Sequence, residues 1–201
     1  MNRDTRDKFV ASTDQSKLAY GKSACLETPP ELFATLHAEF HFNIDLTANE
    51  QNHLLPVWYG PGSISASNTL DAAWSREARC GFSNPPYGRF IELILAKAVV
   101  QQNFTSVFLL PLRAARWYRD FVLPHADEVR HIPRVTFNYQ GKPAKHDKHG
   151  RPATALFDSI VVVYRPHPMM RHGEAYETDS SGQLSGRCCP HVSFWSWNHA
   201  S

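Results

Sequence analysis

Between Cys80 and Leu110 the hydrophobic period changes twice, and this limits the fold more than anything else in the chain. Cys80-Gly81-Phe82-Ser83 reads as a short strand. Phe90, Ile91, Ile94, Leu95 and Ala98 then recur at helical spacing and mark one face of a helix of about three turns. Phe104 to Leu110 is again a β-rich run, and Pro111 stops it. Strands alternating with helices predict an α/β fold with a largely parallel sheet, in which ligands sit beyond the carboxyl ends of the strands. Ile160 to Tyr164, apolar and β-branched, adds a strand buried on both faces.

The rest of the chain fits around this unit. Residues 1–24 are polar and aperiodic and read as a loose arm. Thr28-Pro29-Pro30 reads as the start of a helix, with Thr28 as its cap and proline in the first turn, followed by Leu32, Phe33, Leu36 and Phe40 at helical spacing. His41 to Leu46 alternates like a short strand and presents Asp45 near its end. Residues 48–73 read mostly as loop. Trp117, Phe121 and Val122 suggest a helix ended by Pro124, Val129 to Tyr139 one or two strands, and 140–152 a polar loop. The reading is therefore an arm over 1–24, one domain over 25–165 and a weakly ordered tail over 166–201. With 201 residues, 42% of them hydrophobic, a single sizeable core is expected. No apolar run reaches membrane-spanning length, Met1 to Lys8 lacks a secretory core, and Cys188-Cys189 lacks zinc-site spacing. A cytoplasmic protein with no metal is the expectation.

Net charge is +2, but it is unevenly spread. Residues 113–151 hold 9 Lys/Arg against 4 Asp/Glu, a net of +5, with four histidines besides. Such a concentration suits a phosphate backbone, although a merely solvated surface has the same composition. His146 and His149 read as part of that solvated loop rather than as metal ligands.

Asn84-Pro85-Pro86-Tyr87 stands at the carboxyl end of the Cys80–Ser83 strand. Asn84 offers a side-chain carbonyl, Pro85 a main-chain carbonyl fixed between two rigid prolines (Pro85 and Pro86), and Tyr87 an aromatic face. Two acceptors aimed at the hydrogens of a conjugated amine favour the pyramidal, positive nitrogen that develops when it attacks an electrophile. An exocyclic adenine amine, extruded from a duplex and stacked on an aromatic ring, meets that description. Gly88 reads as relief of crowding where the base enters. A plain Pro-Pro turn and an Asn-Pro-x-Tyr docking peptide have the same letters, but a docking peptide belongs to a disordered tail and not between two apolar segments.

From Thr28 to Tyr164 the chain resembles the phage and prophage family of DNA N-6-adenine methyltransferases, the Dam-type family. The resemblance runs through Thr28-Pro29-Pro30-Glu31-Leu32-Phe33, Phe42 to Ala48 with Asn49 and Asn52, Phe82 to Gly88, and Leu109 to Arg113 with Arg116-Trp117-Tyr118. It implies a compact Rossmann-like fold and methyl transfer from S-adenosylmethionine to a flipped adenine in double-stranded DNA. Residue by residue, it implies that Thr28 and Asp45 bind the cofactor and that Asn84, Pro85, Pro86 and Tyr87 hold the adenine. Arg113 and Arg116 would contact DNA, and Phe157 reads as core or as a base contact. The chain departs from the pattern in two places. No Gly-x-Gly follows the Asp45 strand, and Asp158 stands where the family more often has proline. The alternatives are a cytosine N4 methyltransferase and a DNA-binding module without activity.

Overall fold

In a computed structural model, residues 26–74, 79–101, 103–146, 148–166 and 190–195 are described. Helix α1, Pro30–Phe40, buries Leu32 and Leu36 and ends where His41 turns left-handed (φ 51°) with its N–H bonded to the His37 carbonyl. Strands β1 (Ile44–Asp45) and β2 (Cys80–Ser83) follow, then helix α2 (Arg89–Val99) and strand β3 (Thr105–Pro111). A π-helical turn over Tyr118–Val122 leads to β4 (Glu128–Ile132), the short pair β5 (Asn138–Tyr139) and β6 (Lys142–Pro143), then β7 (Ser159–Tyr164) and β8 (His191–Phe194).

Six strands form one sheet in the order β1-β2-β3-β7-β4-β8. Only β7 runs against its neighbours; β1, β2, β3, β4 and β8 all point one way. The mixed α/β, mostly parallel expectation holds. Side chains alternate across the sheet as strand geometry demands. On β3, Phe108 and Leu110 join a core with α2, Trp74 and Val122, while Val107 and Leu109 join a second core with α1 and Phe42. On β7, Ile160, Val162 and Tyr164 face the first core, and Val161 and Val163 the second. Both faces are covered, which is why β3 and β7 read as unbroken apolar runs.

Four local expectations are corrected. Thr28 is not the helix cap. Pro29 occupies that position, no side chain caps the helix, and the Thr28 hydroxyl is buried without a hydrogen-bond partner. The expected helix before Pro124 is mainly a single π turn. Residues 138–143, partly assigned to a polar loop, form a β-hairpin whose two turn residues, Gln140 (φ 50°) and Gly141 (φ 71°), are both left-handed. Part of the expected tail is a strand: β8 pairs in parallel with β4, from Glu128–His191 to His131–Phe194. Val192 and Phe194 are exposed, so the alternation of β8 carries no core signal. Main-chain pairing holds it, with the Arg130 guanidinium lodged between the rings of Phe40 and Trp195 and ion-paired to Glu39 and Glu128. Residues 1–24 and most of 166–201, with Cys188-Cys189, lie outside the described residues.

Candidate active site

Strand direction brings the site together. Asp45 ends β1, Asn84 follows β2 and Arg113 follows β3, and these three strands are parallel. Phe137 lies beyond the carboxyl end of β4, and Phe157 precedes β7, whose reversed direction returns it to the same edge. Residues far apart in the sequence thus meet at one end of the sheet.

On one side of Asn84 lies a narrow polar crevice, about 10 Å³, lined by Leu26, Thr28, Asp45, Thr47, Asn52 and Asn84 among others. The Asp45 carboxylate is buried and accepts from the Thr47 N–H (3.3 Å) and the Leu54 N–H (3.2 Å). Burial raises its pKa to about 6; those two hydrogen bonds and the charge of His53 pull the other way. The turn after β1 is closed by side chains instead of glycines. Asn52 Oδ1 accepts from the Asn49 N–H at 2.7 Å, and the Thr47 and Ser83 hydroxyls bond at 2.8 Å. This is what stands in place of the missing Gly-x-Gly. The unpartnered Thr28 hydroxyl faces the same crevice. A buried hydroxyl that can both donate and accept is costly to leave without a partner.

On the other side lies an open cleft of about 500 Å³ with aromatic walls, formed by Tyr87, Phe137, Tyr139 and Phe157. Tyr87 meets Phe157 and Phe137 edge to face, with centroids 5.6 and 6.3 Å apart. Its hydroxyl is buried without a partner, and that burial holds the phenol well above its ordinary pKa, with Arg113 pulling the other way. Phe157 therefore both packs against the core and lines the cleft. Gly88 has a backbone (φ 137°) that L side chains rarely adopt, and a Cβ added there would meet no protein atom within 4 Å.

Asn84 lines the crevice, and the turn that it begins reaches the cleft at Tyr87 and Gly88. Its Nδ2 donates to the Leu26 carbonyl at 3.0 Å, and its Oδ1 accepts no hydrogen bond from a described residue. Leu26 lines both the crevice and the cleft. Leu26, Phe137, Tyr139 and Lys145 were not legible as site residues. The resemblance starts only at Thr28, and the others sit in a stretch read as one or two strands and a polar, basic loop, which carries no site motif.

The basic segment is sorted by its partners. Arg116 and Arg119 pair with Asp120, Arg130 with Glu39 and Glu128, and Arg134 with Asp158. Asp158 thus gains an exposed ion pair, while its carbonyl accepts from the Leu112 N–H. Arg113 pairs with no carboxylate among the described residues and lies over the Phe157 ring at 5.7 Å, on the cleft wall. Lys142, Lys145 and Lys148 are likewise without ion pairs among those residues. Asp71 is an exposed loop carboxylate bonded to Asn68 Nδ2. Among the described residues, no cluster of His, Cys, Asp and Glu is suited to a metal ion, and no helix is long and apolar enough to cross a membrane.

The chain is a mixed α/β protein with a mostly parallel sheet, and its polar crevice and aromatic cleft lie beside an Asn-Pro-Pro-Tyr turn at the carboxyl-end edge, where α/β sheets commonly bind ligands. A family model described as DNA N-6-adenine-methyltransferase (Dam) matches residues 15–176, and the chain belongs to that family. Membership makes it an enzyme of the DNA N6-adenine methyltransferase class. No curated protein matches the chain.

Proposed function

We propose that this protein transfers the methyl group of S-adenosylmethionine to the N6 amine of an adenine flipped out of double-stranded DNA, using a Rossmann-like domain over residues 25–165. The observation that carries this reading is the turn from Asn84 to Tyr87, which lines one cavity at Asn84 and the other at Tyr87. One cavity is polar and holds a carboxylate, and the other is aromatic and basic at its rim. Thr28 and Asp45 would hold the cofactor. The unsatisfied Thr28 hydroxyl and the buried Asp45 carboxylate suit its polar, cationic end. When bound, S-adenosylmethionine supplies an electrophilic methyl on a sulfonium.

The protein's own part is positioning and polarisation. The Leu26 carbonyl fixes the Asn84 amide so that Oδ1 is left to accept an N6 hydrogen, and the Pro85 carbonyl accepts the other. Tyr87 stacks on the base, with Phe157 and Phe137 supporting its ring. Arg113, with Arg116 beyond it, contacts the DNA backbone. The setting this implies is the cytoplasm, where the chain meets double-stranded DNA. Expression in a host lacking adenine methylation, followed by genome-wide mapping of modified bases, tests the reading. N6-methyladenine at a defined sequence is expected; its absence despite abundant folded protein overturns the assignment.

A further inference from the structure

We propose that Glu27 is a positioning residue that docks a basic, DNA-facing hairpin onto the catalytic turn and thereby couples DNA binding to cofactor binding. The inference rests on the methyltransferase reading above and goes beyond it. Three consecutive residues, Leu26, Glu27 and Thr28, reach three different parts of the site. Leu26 gives its carbonyl to Asn84 Nδ2, and Thr28 faces the crevice with an unpartnered hydroxyl. Between them, Glu27 exchanges two main-chain hydrogen bonds with Asn138, at 2.8 and 3.0 Å, and its carboxylate accepts from the Gly141 N–H at 3.0 Å.

Glu27 therefore grips the hairpin at both its first strand and its turn. The turn needs this, because Gln140 adopts a left-handed backbone that a non-glycine residue rarely holds. The hairpin leads into an exposed stretch with Lys142, Lys145 and Lys148, and Lys145 and Tyr139 line the aromatic cleft together with Arg113. Cations without carboxylate partners among the described residues, lining an aromatic cleft with ample room for a base, fit the phosphates flanking an extruded nucleotide.

The same short strap forms one wall of the crevice, which has room for little more than a water. A cofactor has to part those walls, and a shift of Thr28 moves Glu27 and the hairpin with it. Each ligand then alters the free energy of binding the other, and linkage makes the effect reciprocal.

The test is calorimetry of S-adenosylhomocysteine, with and without saturating plasmid DNA from a host lacking adenine methylation. Saturating DNA is expected to change the wild-type affinity by about tenfold, within the usual range of such couplings. Glu27→Ala, with fold checked by thermal unfolding, should reduce that factor to near one. Glu27→Gln keeps an acceptor for the Gly141 N–H and should restore it. Glu27→Asp keeps the main-chain pairing but shortens the reach, so it should fall between, and it serves if the alanine variant does not fold. Unchanged coupling in Glu27→Ala, or in Glu27→Asp where that variant replaces it, overturns the inference, as does its loss in Glu27→Gln. A wild-type protein that binds neither ligand overturns the functional reading and this inference together; one that binds both independently overturns this inference alone.

Discussion

The two cavities flanking Asn84 are built on opposite principles. The crevice is polar and nearly closed. Its carboxylate lies on β1, one strand away from the Asn84–Tyr87 turn, and its walls are tied by hydrogen bonds. The cleft is aromatic and open, and its walls come from five separated stretches, around Leu26, Tyr87, Arg113, Phe137 and Phe157, which meet because β2, β3, β4 and β7 deliver their ends to one edge. The first side offers a ligand charge and hydrogen bonds, and the second offers it ring faces. Substitutions on the two sides should therefore fail in different assays.

Asn84 lines the crevice and begins the turn whose Tyr87 lines the cleft, so its loss has the largest expected effect. Asn84→Ala should lower turnover roughly a hundredfold or more, the scale of removing one preorganised polar contact, in steady-state methylation assays of a stably folded variant. Near-full activity would remove Asn84 from the chemistry. On the aromatic side, Tyr87→Ala should cost about 1–3 kcal/mol of base stacking, with S-adenosylhomocysteine binding unchanged. Tyr87→Phe should remain close to wild type, because the hydroxyl it removes has no partner to lose. Equal impairment of the two variants in kcat/KM would show that the hydroxyl acts.

The polar side should answer to pH. Asp45 titrates near pH 6 in the free protein, and a cationic cofactor favours its ionised form. Cofactor affinity should therefore be level above pH 6 and fall by up to about tenfold per unit below it, while Asp45→Asn flattens the profile. The stability effect has the opposite sign. A carboxylate whose folded pKa is raised binds its proton more tightly folded than unfolded, so its contribution is present near pH 4 and lost as pH rises through 6. Thermal melts across that window, compared with Asp45→Asn, measure it.

The smallest effect is expected at the rim. Arg113→Ala should weaken binding to all duplexes alike and make the log–log salt dependence shallower by about 0.9. Arg116→Ala should do less, because Asp120 and Glu92 already offset its charge, weakly as exposed pairs do. A larger change at Arg116 would move the DNA path away from the cleft.

What was legible in the sequence follows the same division. α2, β3 and β7 were readable because each buries a periodic or unbroken apolar set. Asp45 and Asn84 were readable because a motif sits where strands end. The hairpin was hidden because its turn is Gln140-Gly141, and glutamine gives no left-handed signal. The strand β8 was hidden because it is held by Arg130 and main-chain pairing while Phe194 faces outward. Glu27 was hidden because its partners lie more than a hundred residues away, and nothing local requires a carboxylate there.

The most direct test of the account is to incubate the purified protein with isotopically methyl-labelled S-adenosylmethionine and unmethylated duplex DNA, then digest the DNA to nucleosides. The account predicts label in N6-methyladenine, abolished by Asn84→Ala. Label in N4-methylcytosine, or none with a folded protein that binds DNA, would contradict it.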